Sequence, residues 1–409
     1  MKMSMNNALY ALSFGLDAVE NELVGATTNH GKRVAYISER LGHDAGMNEQ
    51  ERMDLACCAV LHDCALTEYI RTELRDGRNP KSKDGIALLG DHCVNGEKNV
   101  SILPFYDRAP RGSIQYHHEN FNGSGPFGKK GDEIPLWASI IHLADIMDLS
   151  LNRGELQGGK YAQARDFVAR QSGIMFNPDV AALFLDHFSE ARLASVQGAA
   201  IDQLLYEDLP GQVKEYSNQE MARFAMMFGR IVDYKSKFTH LHSEGVALKT
   251  REMALYFKLD DQKVSDLYVA AALHDVGKML ISRDILEKPG KLTIPEYDKM
   301  KLHALYSYQM LTRIGGLEEI TPWAALHHEH LDGTGYPFGK TAAELGFEER
   351  LVACMDVYQA LREERPYHKG KTHAQTMPIM KSMVKSGQLD GDIVSAIDKR
   401  YAYADTVAS

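Results

Sequence analysis

The sequence predicts an all-α protein built from two tandem helical bundles. Three observations carry that expectation. No stretch of useful length alternates apolar and polar residues, so no half-buried strand is expected. Apolar residues recur instead at steps of three and four. The second half of the chain also repeats the first at a nearly constant offset, which is the mark of a duplicated unit.

Taken in order, Leu9, Leu12, Leu16, Val19 and Leu23 keep three- and four-residue steps, so an amphipathic helix opens the chain. Residues 30–37 continue in helical pattern from His30. The apolar run from Leu55 to Leu66 holds the pair His62-Asp63. Residues 74–85 are polar and rich in Gly and Lys, hence a loop. His92 follows, then a turn-rich stretch at 117–128 that starts with His117-His118. Residues 140–149 are helical and carry Asp145, and 160–208 close the first bundle. In the second half Met221, Phe224, Phe228 and Ile231 take the places of Leu9, Leu12, Leu16 and Val19. The boundary is placed after Pro210-Gly211, giving domains 1–212 and 213–409. Both are expected to be helical bundles.

The repeat is sharpest at the polar positions. His30, His62, His92, His117 and Asp145 correspond to His242, His274, His303, His327 and Asp356, at offsets of 212, 212, 211, 210 and 211. Second histidines, His118 and His328, follow in both halves. Asp63 and Asp275 each follow the second histidine of the set. Ten of the 17 histidines fall at these repeated positions, so the concentration matters more than any single one. A lone histidine on an apolar helix is an ordinary core residue, and His142, His187 and His240 are read that way. Five imidazoles and two carboxylates per half are not explained by packing. Burying an imidazole beside a carboxylate is costly unless something binds both, and a metal ion does so. No thiolate stands at these positions. Imidazole with carboxylate suits Fe, Mn, Zn or Ni.

His-Asp-Val-Gly-Lys at 274–278 and the segment from His327-His328-Glu329 through Asp332-Gly333-Thr334-Gly335-Tyr336-Pro337 carry a resemblance. The chain resembles the HD-GYP subgroup of the HD-domain phosphohydrolases, all-helical metal enzymes that open cyclic dinucleotides. The resemblance implies that His242, His274, Asp275 and Asp356 form the general HD quartet, and that His303, His327 and His328 are the subgroup's addition. It implies Asp275 as a carboxylate bridging two divalent first-row ions, with Fe or Mn expected and Zn or Ni allowed. Some members hold a third metal through a Glu four residues before the first histidine. Phe238 stands there, so two ions are expected. Two ions suit phosphodiester hydrolysis by activating water and clamping phosphate oxygens. Lys278, at the family's lysine position, would neutralise charge developing on phosphate. Gly335, Tyr336 and Arg365 (within the family-like Arg365-Pro366-Tyr367) are expected to contact substrate. The chain departs from the family at Gln359, where an Asp is usual. That change is expected to remove a charge partner of Lys278.

The first half keeps His30, His62, Asp63, His92, His117, His118 and Asp145 as a possible second metal site. It has Leu66 in the lysine position and Asn122-Gly123-Ser124-Gly125-Pro126 in place of the Gly-Tyr-Pro turn, but retains Asp148 opposite Gln359. It is expected to be a degenerate copy with a regulatory or structural role.

Composition bounds the rest. The 409 residues are 44% hydrophobic and 25% charged, with a net charge of −10, which disfavours nucleic-acid polymers and anionic membranes as partners. No run of 18 apolar residues and no leader segment is read, and no membrane association is expected. Five cysteines without a CxxC pair fit a reducing cytoplasm rather than a disulfide framework. The expected activity is hydrolysis of a bacterial cyclic dinucleotide to its linear form. The tandem layout is similar to that of 3′,3′-cyclic GMP-AMP phosphodiesterases, with cyclic di-GMP the close alternative substrate. A cyclic-dinucleotide receptor without turnover, or an HD hydrolase of another nucleotide, are the competing classes. A homodimer is the candidate assembly.

Overall fold

Helices form where the three- and four-residue apolar steps place them. The structure, a computed structural model, describes residues 1–24, 28–66, 85–152, 159–196, 200–208, 213–235, 242–364 and 370–402. Among the described residues, one short sheet beside the helices pairs Lys2–Ser4 with Val213–Glu215. The chain divides into two units, Ser4–Lys214 and Glu215–Ser409, and residues 1–3 belong with the second. Backbone hydrogen bonds of 2.8 Å in both directions between Met1 and Tyr216 tie them to it. No helix among the described residues is long and apolar enough to cross a membrane.

In the first unit the main helices are Met5–Val24, His30–Asp44, Glu49–Val60, Gly85–Val100 and Leu136–Asn152, followed by shorter ones from Lys160 to Asp208. Of the expected loop at 74–85, residues 74–84 lie outside the described residues, and Gly85 begins a helix. The second unit repeats the order with Asn218–Lys235, His242–Tyr256, Asp261–Leu273, Ile294–Leu311 and Phe347–Arg362, and closes with His373–Lys385 and Gly391–Arg400. Its core is apolar where helices face one another: Val246, Ala247, Met253, Leu267, Ala270, Ala271 and Leu273 are all buried. Corresponding helix starts use the same chemistry. Asn177 accepts from the amides of Asp179 and Val180, and Asp390 accepts from those of Asp392 and Ile393, so each caps the helix that follows it.

One close approach positions the site in both units. A Cβ on Gly277 would overlap the carbonyl of His303 and lie 2.5 Å from the Ser307 amide nitrogen. The turn after His274 therefore lies directly on helix Ile294–Leu311. Ser307 Oγ seals the contact, donating to the His274 carbonyl at 2.8 Å and accepting from the Gly277 amide at 2.9 Å. In the first unit the small residue has changed sides. Ala65 stands at the Gly277 position, and Gly96 stands at the Ser307 position, with room for a Cβ only 3.1 Å from Ile114 Cγ2. Space is conserved although the residue that provides it is not. Gly277→Ala should overpack this contact and destabilise the fold by about 1–3 kcal/mol, measured by denaturant unfolding.

Candidate metal centre

Three histidines of the second unit are oriented the same way. His274, His303 and His327 each donate Nδ1–H to the carbonyl three residues earlier, those of Ala271, Met300 and Ala324, all at 2.7 Å. A carbonyl can only accept, so Nδ1 carries the proton and Nε2 keeps its lone pair. All three Nε2 atoms are buried and have no hydrogen-bond partner. Buried polar atoms are ordinarily paired, so three aimed at one place mark a ligand site.

Asp275 stands between two sets of these nitrogens. Its Oδ2 lies 3.2 Å from His274 Nε2 and 3.9 Å from His242 Nε2. Its Oδ1 lies 3.4 Å from His303 Nε2 and 3.8 Å from His327 Nε2, and has no hydrogen-bond partner. On the first side Asp356 Oδ1 completes the set, 3.0 Å from His242 Nε2 and 3.9 Å from His274 Nε2. On the second side His328 joins His303 and His327. All seven predicted ligands therefore meet in two groups, with one carboxylate facing both. Ligand atoms of His242, His274 and Asp356 lie within 4.8 Å of one another, as do those of His303, His327 and His328.

The electrostatics suit cations. Burial, the largest cause, pushes His303 down to about 4 and His327 to about 3, so both are neutral donors. Burial opposes ionisation of Asp275, yet the charges of His274 and Lys278 hold it well below the usual carboxylate range. Asp356 is held low against burial by its hydrogen bond with His242. The neutral imidazoles of His303 and His327, the ionised carboxylates and the orphaned donor atoms fit first-row divalent ions; His242 is, against burial, pushed up to about 10 by its hydrogen bonds with Asp356 and Glu363, so an ion there would displace its proton. Phe238 lies outside the described residues.

Lys278 reaches back to Asp275, its Nζ in direct contact with Oδ2, and is partly exposed. The Gln359 position proves to serve a different purpose from the one expected. In the first unit Asp148, at that position, contacts His30 Nδ1 at 2.7 Å and pairs with Arg33 through two bonds of 2.6 and 3.0 Å. In the second unit Gly245 replaces Arg33, and the Gln359 side chain fills its space and accepts from Lys249 at 2.7 Å. The contact to the first histidine passes to Glu363, whose Oε2 lies 3.1 Å from His242 Nδ1. The carboxylate at this corner therefore contacts Nδ1 of the first histidine of the set in both units. Glu363→Ala should lower metal affinity by about 10–100-fold, whereas Gln359→Ala should change it little; competition with a chromogenic chelator measures both.

The Gly-Tyr-Pro segment is held by Glu329, a residue of the motif to which the sequence assigns no role of its own. Glu329 is buried, and its two oxygens accept from the amides of Phe338 at 2.7 Å and Lys340 at 2.9 Å, closing the loop. Gly335 is packed so tightly that a Cβ would meet the backbone of His328, Glu329 and His330. Its evident role is close packing. Asp332 is exposed and forms a turn by accepting from the Thr334 amide at 2.9 Å. Tyr336 lays its ring against His328, with centroids 4.8 Å apart. Arg365 lies outside the described residues.

The first unit rebuilds this arrangement. Asp63 Oδ1 lies 3.2 Å from His92 Nε2 and 3.4 Å from His117 Nε2, and its Oδ2 lies 3.6 Å from His62 Nε2. Asp145 Oδ1 is 3.4 Å from His30 Nε2. His118 lies beside His92, the ring centroids 5.2 Å apart. The loop clamp survives the loss of Tyr-Pro: Glu119 accepts from the amides of Phe127 at 2.5 Å and Lys129 at 2.7 Å, and Gly125 packs on Glu119 as Gly335 does on Glu329. Leu66 is buried at the lysine position. This unit also adds Glu20, which occupies the place of Val232. Its buried Oε2 has no hydrogen-bond partner and lies 3.9 Å from His30 Nε2.

Comparison with known proteins agrees with this geometry. The HD domain family matches the chain twice, over residues 18–180 and 226–393. The 3′3′-cGAMP-specific phosphodiesterase 1 of Vibrio cholerae is 28% identical over 97% of this chain and 91% of its own length. The 3′3′-cGAMP-specific phosphodiesterase 3 of the same organism is 30% identical over 76% of this chain and 67% of its own. A cyclic di-GMP phosphodiesterase of Pseudomonas aeruginosa is 32% identical over 52% of this chain and 50% of its own. The crystal structure of a cyclic GMP-AMP specific phosphodiesterase of V. cholerae shares the fold, with a TM-score of 0.66 at 23% identity over 98% of both chains. Two matched segments, each containing one of the two ligand sets, establish that the chain belongs to the HD-domain family and carries two copies of the domain.

Proposed function

We propose that the second copy is a metal-dependent phosphodiesterase that opens a cyclic dinucleotide to its linear form. The observation that carries this is Asp275, with one oxygen toward His242 and His274 and the other toward His303 and His327. Two divalent ions held by those residues with Asp356 and His328 would supply Lewis acidity to phosphate oxygens and acidify water. The chain's own groups do the rest. The carbonyls behind His274, His303 and His327 hold the imidazoles in one tautomer. Glu363 orients His242. Lys278, partly exposed beside Asp275, offers a cation to the phosphate as negative charge builds. Tyr336, packed against His328, forms a wall of the substrate site, and Arg365 is assigned to the substrate's phosphate or base.

The favoured substrate is 3′,3′-cyclic GMP-AMP. A relative named for that nucleotide aligns over 97% of this chain, both copies included, whereas the Pseudomonas relative named for cyclic di-GMP aligns over 52%. The first copy, with Leu66 in place of lysine, is assigned a regulatory or structural role. The test is parallel hydrolysis of cyclic di-GMP and the three cyclic GMP-AMP linkage isomers by Mn- or Fe-loaded protein. Turnover of the 3′,3′ isomer above the others supports the proposal. Faster turnover of cyclic di-GMP moves the substrate, and tight binding without turnover of any moves the chain to the receptor class.

A further inference from the structure

We propose that the first copy holds a metal centre of a different chemical kind, in which Cys93 is a thiolate ligand beside His92, His117 and His118. Ligand atoms of these four residues lie within 4.8 Å of one another. Cys93 is fully buried, and its Sγ lies 3.5 Å from His92 Nε2 and 3.8 Å from His117 Nδ1. A nitrogen and a sulfur on one tetrahedral zinc ion, at about 2.0–2.1 and 2.3 Å from it, stand roughly 3.5 Å apart. The spacing of Cys93 Sγ and His92 Nε2 is therefore that of two ligands on one ion, whereas the His117 nitrogen near the sulfur is the one held by the Ile114 carbonyl.

A second observation points to the pocket of His92, whose Nε2 lies 3.2 Å from Asp63 Oδ1. His117 is fully buried and its Nδ1 donates to the Ile114 carbonyl at 2.6 Å. That leaves its Nε2 as a lone pair, buried without a hydrogen-bond partner and 3.4 Å from Asp63 Oδ1, which is likewise unpartnered. The second copy has Ala304 where the first has Cys93, so the thiol belongs to this copy alone. One thiolate and three imidazoles make a softer and more complete set than the three imidazoles facing Asp275. Such a set selects a thiophilic ion such as Zn(II). Four protein ligands also close a tetrahedral ion against substrate, as in structural zinc sites. Binding would release the thiol proton to solvent. A closed centre agrees with the loss of the lysine at Leu66, and the inference does not depend on which nucleotide the second copy cleaves.

The test uses the full-length chain loaded with Zn(II) for X-ray absorption and with Co(II) for optical spectra. The wild type should show a sulfur neighbour at about 2.3 Å from zinc, and a sulfur-to-cobalt charge-transfer band in the near ultraviolet. Cys93→Ser and Cys93→Ala should lose both while keeping the wild-type circular dichroism; alanine is the residue the second copy already accommodates at Ala304. A wild type without a sulfur neighbour overturns the proposal with no variant needed. So does a sulfur signal that survives in Cys93→Ala.

Discussion

Asp275→Ala is expected to reduce turnover to that of a blank and to lower the metal content of the second copy. The geometry sets the size of this effect. Among the described residues Asp275 is the one carboxylate that faces both ligand groups, 3.2 Å from His274 Nε2 through one oxygen and 3.4 Å from His303 Nε2 through the other. Removing it leaves two buried sets of imidazoles with Asp356 as the remaining carboxylate of the ligand set to balance two dications. Asp63→Ala, the same change in the first copy, should leave most turnover in place. Activity assays on both variants, with elemental analysis, decide the matter. Full activity in Asp275→Ala would place the chemistry in the first copy.

Lys278→Ala should lower kcat by about 10²–10³-fold, the usual cost of removing one group that stabilises transition-state charge. Metal content should be unchanged, because Asp275 remains. That pairing of results separates two roles. Lys278 contacts Asp275 Oδ2 directly, so it could serve only to hold the carboxylate. In that case metal would be lost together with activity. If it meets the phosphate instead, kcat falls, the ions stay, and Lys278→Arg restores part of the rate by returning the charge.

The candidate ligand residues were legible in the sequence because each is fixed to a helix or to the turn after one, and helix spacing survived the duplication. Five offsets within two residues require the same helices in the same order. Other features were not legible. Glu363 reaches His242 across 121 residues, and no local pattern announces such a contact. Cys93 follows His92 directly, and successive helical side chains point about 100° apart, so both facing one site is not expected from spacing. Glu329 was read as part of a motif, but its work is to hold two loop amides. Only the folded loop brings those amides to it.

By itself the sequence determined that this chain is a helical duplication with a repeated set of histidines and aspartates, and it named those residues. It also showed that the first copy lacks the lysine. The tertiary structure decided how the ligands are grouped: which histidines face which oxygen of Asp275, which carboxylate orients His242, and that a thiol joins the histidines of the first copy alone. The physical reason is that a ligand set is defined by where atoms point. A side chain's identity and helical position restrict that direction, but hydrogen bonds and packing from distant segments choose it. The carbonyls behind His274, His303 and His327, and Gly277, which lets the turn after His274 lie on helix Ile294–Leu311, make that choice here.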